Sequence, residues 1–339
     1  MSASPARYLL RPADEADLPA LGRFKAAASP GVDALPGDDQ RLGALLEASL
    51  RAFALDGDER GGTHLFMLDT LAGETVGCAG LEDVGERIEP FYSLRRDTFV
   101  HASVALDKRS RASALSVCHD LAGATRLTRQ HLVTMDPPLL GLALRGRLAF
   151  AACHPGRFAD ELVAELPGMV DARGRSPFWE AIGRHFFGVE LERAEQLCSR
   201  GDRLFLSELL PLYPLYESLM PASVREAIGV SHPRARATER LLLVEGLEKS
   251  RYFDVFDTGP SLVGRFARMR TLCAKRTLEL VKIEQASIRA PERLVSNTRL
   301  AGFRAMFAAI DEFAPGQARL DAQSAAALCL APGDRLTVA

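Results

Sequence analysis

The stretch Gly229-Val-Ser-His-Pro-Arg places a histidine, His232, directly before a proline. Imidazole titrates near neutrality, so it can take or give a proton at working pH. Proline suits the first turn of a helix, which puts His232 at or beside an N-cap, a loop position where a ring can face a cleft. A capping or surface histidine satisfies the same local pattern. A second feature is Asp136-Pro-Pro-Leu-Leu-Gly-Leu-Ala-Leu-Arg-Gly-Arg. Gly141, Arg145, Gly146 and Arg147 could form an anion site; Leu142 to Phe150 reads equally as an amphipathic helix with two solvated arginines. Asp254 and Asp257, in Phe253-Asp-Val-Phe-Asp, read as edge or turn caps, and Phe178-Trp179 as helix core.

Other chemistries find no support. GxGxxG, GxxxxGK[ST], GxSxG and HExxH are all missing. The seven histidines are dispersed, and the six cysteines, at 78, 118, 153, 198, 273 and 329, include no CxxC. Reduced cysteines acting as small apolar packers, with no metal, is the reading that follows.

The elements around these residues come from periodicity. Tyr8-Leu-Leu-Arg-Pro is a short strand, and Asp14 to Lys25 a helix with Leu18, Leu21 and Phe24 at helical spacing. Pro30-Gly31, Pro36-Gly37 and residues 56–62 mark loops and a turn, and Leu42 to Phe53 is a second helix. Leu65 to Asp69 and Thr75 to Gly80 flank a hairpin turn at Leu71-Ala-Gly-Glu. Thr98 to Val104, Leu115 to His119 and Arg126 to Met135 are strand-like, the last stopped by Pro137-Pro138. Leu142 to Cys153 is helical and Leu162 to Val170 a strand. Phe178 to Phe187, Leu204 to Leu210, Pro221 to Ile228 and Pro233 to Glu245 are helices, and Tyr252 to Phe256 is a strand ended by Thr258-Gly259-Pro260. Past about residue 272 the texture turns β-rich, with alternation over Thr277 to Ile283, a short helix over Asp321 to Leu328 and a final turn and strand. The expected fold is α+β, a mixed sheet flanked by helices. Residues 1–271 form the main region, with room for two related sub-parts, and 272–339 a small C-terminal module.

At 339 residues, 47% apolar and 25% charged, the chain has ordinary globular composition and is long enough for two domains. A net charge of -2 and a pI near 6.4 offer no basic surplus for a nucleic acid, though a local cationic patch is compatible with them. No apolar N-terminal region or membrane-length run is present, so the expectation is a cytoplasmic protein with neither membrane nor nucleic-acid partners.

Several segments, in order, resemble the arginine/ornithine N-succinyltransferase family of CoA-dependent N-acyltransferases. They are Tyr8-Leu-Leu-Arg-Pro with Gly31-Val-Asp-Ala-Leu-Pro; Glu89-Pro-Phe-Tyr-Ser with Thr98-Phe-Val-His-Ala-Ser; His154-Pro-Gly-Arg-Phe-Ala-Asp with Arg175-Ser-Pro-Phe-Trp-Glu-Ala-Ile-Gly-Arg-His; Ser207-Glu-Leu-Leu-Pro with Tyr213-Pro-Leu-Tyr; and Ile228-Gly-Val-Ser-His-Pro with Tyr252-Phe-Asp-Val-Phe-Asp-Thr-Gly-Pro. They span nearly the whole chain. The family has two related chains, and Leu115 to Gly123 with Leu144-Arg-Gly-Arg-Leu-Ala-Phe looks more like the α chain.

The resemblance implies an acyl-CoA N-acyltransferase-like, mostly antiparallel sheet, with the C-terminal module barrel-like. It implies transfer of succinyl from succinyl-CoA, with no metal, to the α-amino group of arginine or ornithine in arginine catabolism. Partners would be a related β chain in a heteromer, or further copies of the chain. The alternatives are a non-catalytic or regulatory α-type partner, or another amine acceptor. His232 matches the family's proton donor, and Gln130 and Leu132, on the strand before the loop, match its succinyl-CoA strand. Gly141, Arg145, Gly146 and Arg147 would then face the pyrophosphate. His101, Ser103, Asp120 and Glu165 are candidates for the amino-acid pocket, where a cationic substrate wants a carboxylate.

Overall fold

The computed structural model describes residues 7–27, 35–36, 38–55, 60–85, 91–199 and 204–339. The loop signals at Pro30-Gly31 and Gly37, residues 56–59 of the turn and Glu89-Pro90 lie outside these residues.

The chain opens with β1 (Tyr8–Pro12), α1 (Leu18–Ala27) and α2 (Asp39–Ala54). Asp38 caps α2 by accepting the Arg41 N–H, the role that a side-chain oxygen just ahead of a helix fills. β2 (Gly62–Thr70) and β3 (Thr75–Asp83) form the expected hairpin, followed by β4 (Ser93–Ser103), β5 (Lys108–Cys118) and β6 (Thr125–Leu132). Then come α3 (Pro137–Cys153), β7 (Glu161–Glu165), α4 (Arg184–Phe187), α5 (Leu191–Ser199), α6 (Leu204–Leu209), β8 (Leu215–Tyr216), α7 (Ala222–Ala227) and α8 (Arg236–Glu245). β9 (Glu248–Asp254), β10 (Pro260–Arg265) and α9 (Arg270–Ala274) complete the main region. The rest is β11 (Arg276–Glu284), β12 (Glu292–Asn297), β13 (Ala305–Ala314), β14 (Gln317–Asp321), α10 (Ala322–Ala327) and β15 (Arg335–Val338).

The strands join in the order β12-β15-β11-β14-β13-β1-β2-β3-β6-β7-β10-β9-β4-β5-β8. Among the described residues only β6–β7 and β11–β14 pair in parallel, so the sheet is mixed and mostly antiparallel, as expected. β12 also pairs with β13, which closes the five C-terminal strands into a small barrel around Leu280, Val295, Ala318, Leu320 and Leu336. Closure leaves those strands without a free edge. The barrel meets the main sheet through β13 and β1, with Leu9 opposite Met306.

The core of the main region is built on α3. Leu139, Leu142, Ala143, Leu144, Leu148 and Phe150 are buried on every side of it, as in a helix enclosed by its neighbours. It packs between β1, β3 and β6 of the main sheet, β12 and β13 of the barrel, and α8 and α9. α3 starts at Pro137, five residues earlier than its apolar pattern suggests, because prolines fit a first turn whose N–H groups have no partner in the helix. β7 ends at Glu165 and does not reach Val170, since Pro167 has no N–H to donate to a ladder. Trp179 is fully buried, stacked on Phe187, and donates to Val189 O at 3.0 Å, in keeping with a core role. No helix among the described residues is long and apolar enough to cross a membrane.

Candidate active site

β6 and β7 stay together over three pairs: Thr125 with Leu162, Arg126 with Val163 and Leu127 with Ala164. Beyond Leu127, β6 runs on to Leu132 with no strand partner on that side among the described residues. The parting begins at a bulge. The β3–β6 register shifts between Cys78 and Gly80, and Arg129 adopts a left-handed φ of 53°. A bulge bends its strand and redirects side chains, which is why such irregularities gather beside functional sites.

Arg147 holds the bulge from behind. Its guanidinium donates to Gly80 O at 2.8 Å, to Ala143 O at 2.7 Å and to Gln130 Oε1 at 2.8 Å. Burial pulls its pKa down to about 9, so it stays charged at neutral pH. The anion site expected at Gly141, Arg145, Gly146 and Arg147 is therefore corrected. All four lie inside α3. Gly141 faces Phe307, and Gly146 fits against Leu10, where a Cβ would come within 2.9 Å of Cδ1. Arg145 donates to the buried carboxylate of Glu245 at 2.6 Å. Arg147 is buried in the core, and Arg145, though partly exposed, is paired with Glu245. The helix start is also poorly equipped for a pyrophosphate. Pro137 and Pro138 have no N–H, and the Leu140 N–H already bonds Asp136 O at 2.9 Å.

His232 and α8 bridge the parted strands. The His232 N–H donates to Pro167 O at 2.8 Å, two residues past the end of β7. On the other side Gln130, in the stretch of β6 past its parting from β7, donates through Nε2 to Thr238 Oγ1 of α8 at 3.3 Å. Both ends of the Gln130 amide are thus engaged, to Arg147 and to Thr238, so its identity has a structural reason. Leu132 closes β6 and is buried.

The ring of His232 is at the N-cap, as Pro233 suggests. Nδ1 accepts the Arg234 backbone N–H at 3.3 Å. A backbone N–H can only donate, so the neutral ring carries its proton on Nε2. Burial, with Arg234 and Arg236 nearby, lowers its pKa below the ordinary 6.5. The site therefore presents a neutral imidazole with one N–H donor.

The expected acceptor-pocket residues scatter. Asp120 accepts from Arg95 and from Tyr252 Oη, each at 3.0 Å, and the Arg95 bond holds its carboxyl below the usual range. His101 and Ser103 sit near the tip of the β4–β5 hairpin. β9 covers β4 only from Ser93 to Arg95, so His101 stands about 20 Å further along the strand at 3.3 Å per residue. Ser103 Oγ accepts the Leu106 N–H, a turn role. Neither is brought to His232 within the chain, because the hairpin runs away from β9. Glu165 ends β7 half-buried, two residues before Pro167, and is the candidate carboxylate closest along the chain to the residue that anchors His232. A separate cavity of about 280 Å³ lies against Arg11, Phe53, Phe303 and Arg304, but Arg11 there is bound by Asp17 and Asp69.

Sequence reasoning did not single out Pro167, Thr238 or Arg147 in these roles. Only Glu165-Leu-Pro-Gly carried a local sign, a strand ending in a turn.

The model of the arginine N-succinyltransferase beta subunit family matches residues 8–271, and the model of its C-terminal domain matches residues 275–339. Arginine N-succinyltransferase subunit alpha of Pseudomonas aeruginosa is 40% identical over 330 residues, 96% of this chain and 97% of that protein. Subunit beta of the same organism is 33% identical over 277 residues, 80% and 81% of the two chains. The arginine N-succinyltransferase of Citrobacter koseri is 31% identical over 336 residues, 97% and 96%. The solved structure of arginine/ornithine succinyltransferase subunit AI from Pseudomonas aeruginosa matches with a TM-score of 0.86 at 37% identity, covering 98% of each chain.

Proposed function

Because the chain belongs to the arginine N-succinyltransferase family, we propose that it transfers a succinyl group from succinyl-CoA to the α-amino group of arginine or ornithine. The observation that carries this reading is the parting of β6 from β7, with His232 on one rim and Gln130 to Leu132 on the other. In this reading the main chain of β6 past its parting from β7 offers N–H and C=O groups to the amide-bearing arm of CoA, as a sheet edge does to an added strand. The thioester carbonyl then lies by His232. The amine nitrogen attacks the carbonyl carbon, and the π electrons move to oxygen. The Nε2–H of His232 donates a hydrogen bond to that oxygen. The carbonyl re-forms as the C–S bond breaks, and the proton shed by nitrogen ends on sulfur. A neutral imidazole suits this role, because its Nδ1 is held by the helix start and Nε2–H remains as donor. The proposed setting is the cytoplasm, where acyl-CoA donors are available.

The test is a thiol-release assay with succinyl-CoA and arginine, with succinylarginine identified by mass spectrometry. His232→Ala is expected to cut turnover about 10²-fold or more, the cost of losing one oxyanion donor. Full turnover in that variant would remove His232 from the mechanism.

One observation favours a second reading. The start of α3 offers few N–H groups to a pyrophosphate, which suits an α-type chain whose grip on CoA is completed by a related β-type chain. Thiol release that appears only when such a chain is added supports this reading; release by the chain alone excludes it.

A further inference from the structure

The two peptide units that hold the His232 segment share one partner. The unit between Pro167 and Gly168 accepts the His232 N–H through Pro167 O, at 2.8 Å. The unit between Thr258 and Gly259 accepts the Gly229 N–H through Thr258 O, at 2.9 Å. The N–H groups of these same units both donate to Asp257: Gly168 to Oδ2 at 2.6 Å and Gly259 to Oδ1 at 2.7 Å. A trans peptide unit is planar, with C=O and N–H pointing to opposite sides, so fixing the N–H fixes where the C=O points. One carboxyl group thus sets the aim of both carbonyls from which residues 229–232 hang.

The crossing has no room for side chains. A Cβ on Gly259 would lie 2.1 Å from Leu166 O, and one on Gly168 would lie 2.5 Å from Asp257 O. Thr258 takes a left-handed φ of 58°, a strain that the surrounding bonds must hold. Asp254 Oδ1 accepts the N–H groups of Phe256 at 2.7 Å and Asp257 at 3.1 Å, which secures the turn that carries Asp257. A buried carboxyl is a costly tie. Burial, and then the neighbouring Asp254, push the Asp257 carboxyl well above the usual carboxylate range. Asparagine is no substitute, because it has one acceptor oxygen and its NH₂ would face an N–H. Simple turn capping needs neither the burial nor the second acceptor.

We infer that Asp257 is a positioning residue for His232, holding the ring's backbone in register with the parted strands through the Pro167–Gly168 and Thr258–Gly259 peptides. The inference rests on His232 being the reacting group of the proposed function.

A double-mutant cycle on the full chain tests it. Asp257→Asn is expected to lower kcat about tenfold or more, with KM for succinyl-CoA within about twofold, because the β6 main chain is untouched. In the His232→Ala background the same change is expected to alter kcat by less than about twofold, since the group that it positions is gone. Equal losses in both backgrounds mark a merely structural residue and overturn the inference, as does an unchanged kcat in the single variant. If Asp257→Asn is recovered unfolded, Asp254→Ala, which frees the turn beneath Asp257, takes its place in the cycle with the same expectations and the same overturning results. Full turnover in His232→Ala is a different result: it overturns the assignment of His232 and, with it, this inference.

Discussion

At neutral pH the His232 ring has one proton, on Nε2, because Nδ1 faces the Arg234 N–H and burial disfavours the cation. The sign of the pH dependence follows. The folded-state pKa lies below 6.5, so the ring stays neutral as pH falls through 6.5 and protonates only further down. The proton must then go to Nδ1, which breaks the cap. Turnover is expected to hold or rise from pH 6.5 upward, as more amine is free, and to fall on the acid side below 6.5. A kcat that declines as pH rises through 6.5 would instead identify an imidazolium donor. The charges that add to burial in keeping the ring neutral are Arg234 and Arg236, from its own helix region. A donor that never gives up its proton can be replaced by another N–H. His232→Gln is therefore expected to retain at least about tenfold more turnover than His232→Ala, and equal rates in the two would refute the neutral-donor role. The N-cap position was legible from Ser-His-Pro. The tautomer was not, since it depends on which backbone N–H the ring meets.

At the scale of elements, α3 and the β6 bulge form one unit joined by Arg147. Removing that side chain takes the guanidinium donor away from Gly80 O and Gln130 Oε1 inside the core, while Ala143 O keeps only its helical bond. Arg147→Met is expected to lower unfolding stability by about 2–5 kcal/mol in urea titration, and the KM for succinyl-CoA should rise as the bulge relaxes. A loss under about 0.5 kcal/mol, the usual range for a surface substitution, would show that Arg147 is not the staple. The helical pattern of α3 was readable from its long run of leucine, alanine and arginine, all good helix formers. The burial of Arg147 and the pairing of Arg145 with Glu245 were not readable, because periodicity reports no more than a side chain's position on its own helix. The bulge left no local mark either. Arg129 is an ordinary strand residue in the sequence, and its left-handed φ arises where β3, β6 and α3 meet.

At the scale of the molecule, one sheet runs from the closed barrel through β1 to the β4–β5 hairpin, and the candidate site lies at the parallel junction β6–β7. If the parted strands take up CoA, ligand at about 100 times its Kd should stabilise the fold by about 2.7 kcal/mol, visible as a shift of Tm by a few degrees. No shift for the chain alone, with a shift once a related β-type chain is present, would assign the CoA grip to the pair.

The sequence by itself determined the α+β class, most of the strands and helices and the β-rich C-terminal end. It also determined the helix-capping place of His232 and, through the order of its motifs, the family. These depend on neighbours within a few residues, where side-chain period, proline and capping geometry act directly. Tertiary structure alone decided the parting of β6 and β7, the enclosure of Arg147 and the distance of His101 and Ser103 from His232. It also decided the use of Asp257 as a tie. The bonds concerned join residues far apart, 108 positions for Gln130 with Thr238 and 89 for Gly168 with Asp257. No local pattern encodes such a meeting; it exists only once the sheet has brought the two ends of each bond together.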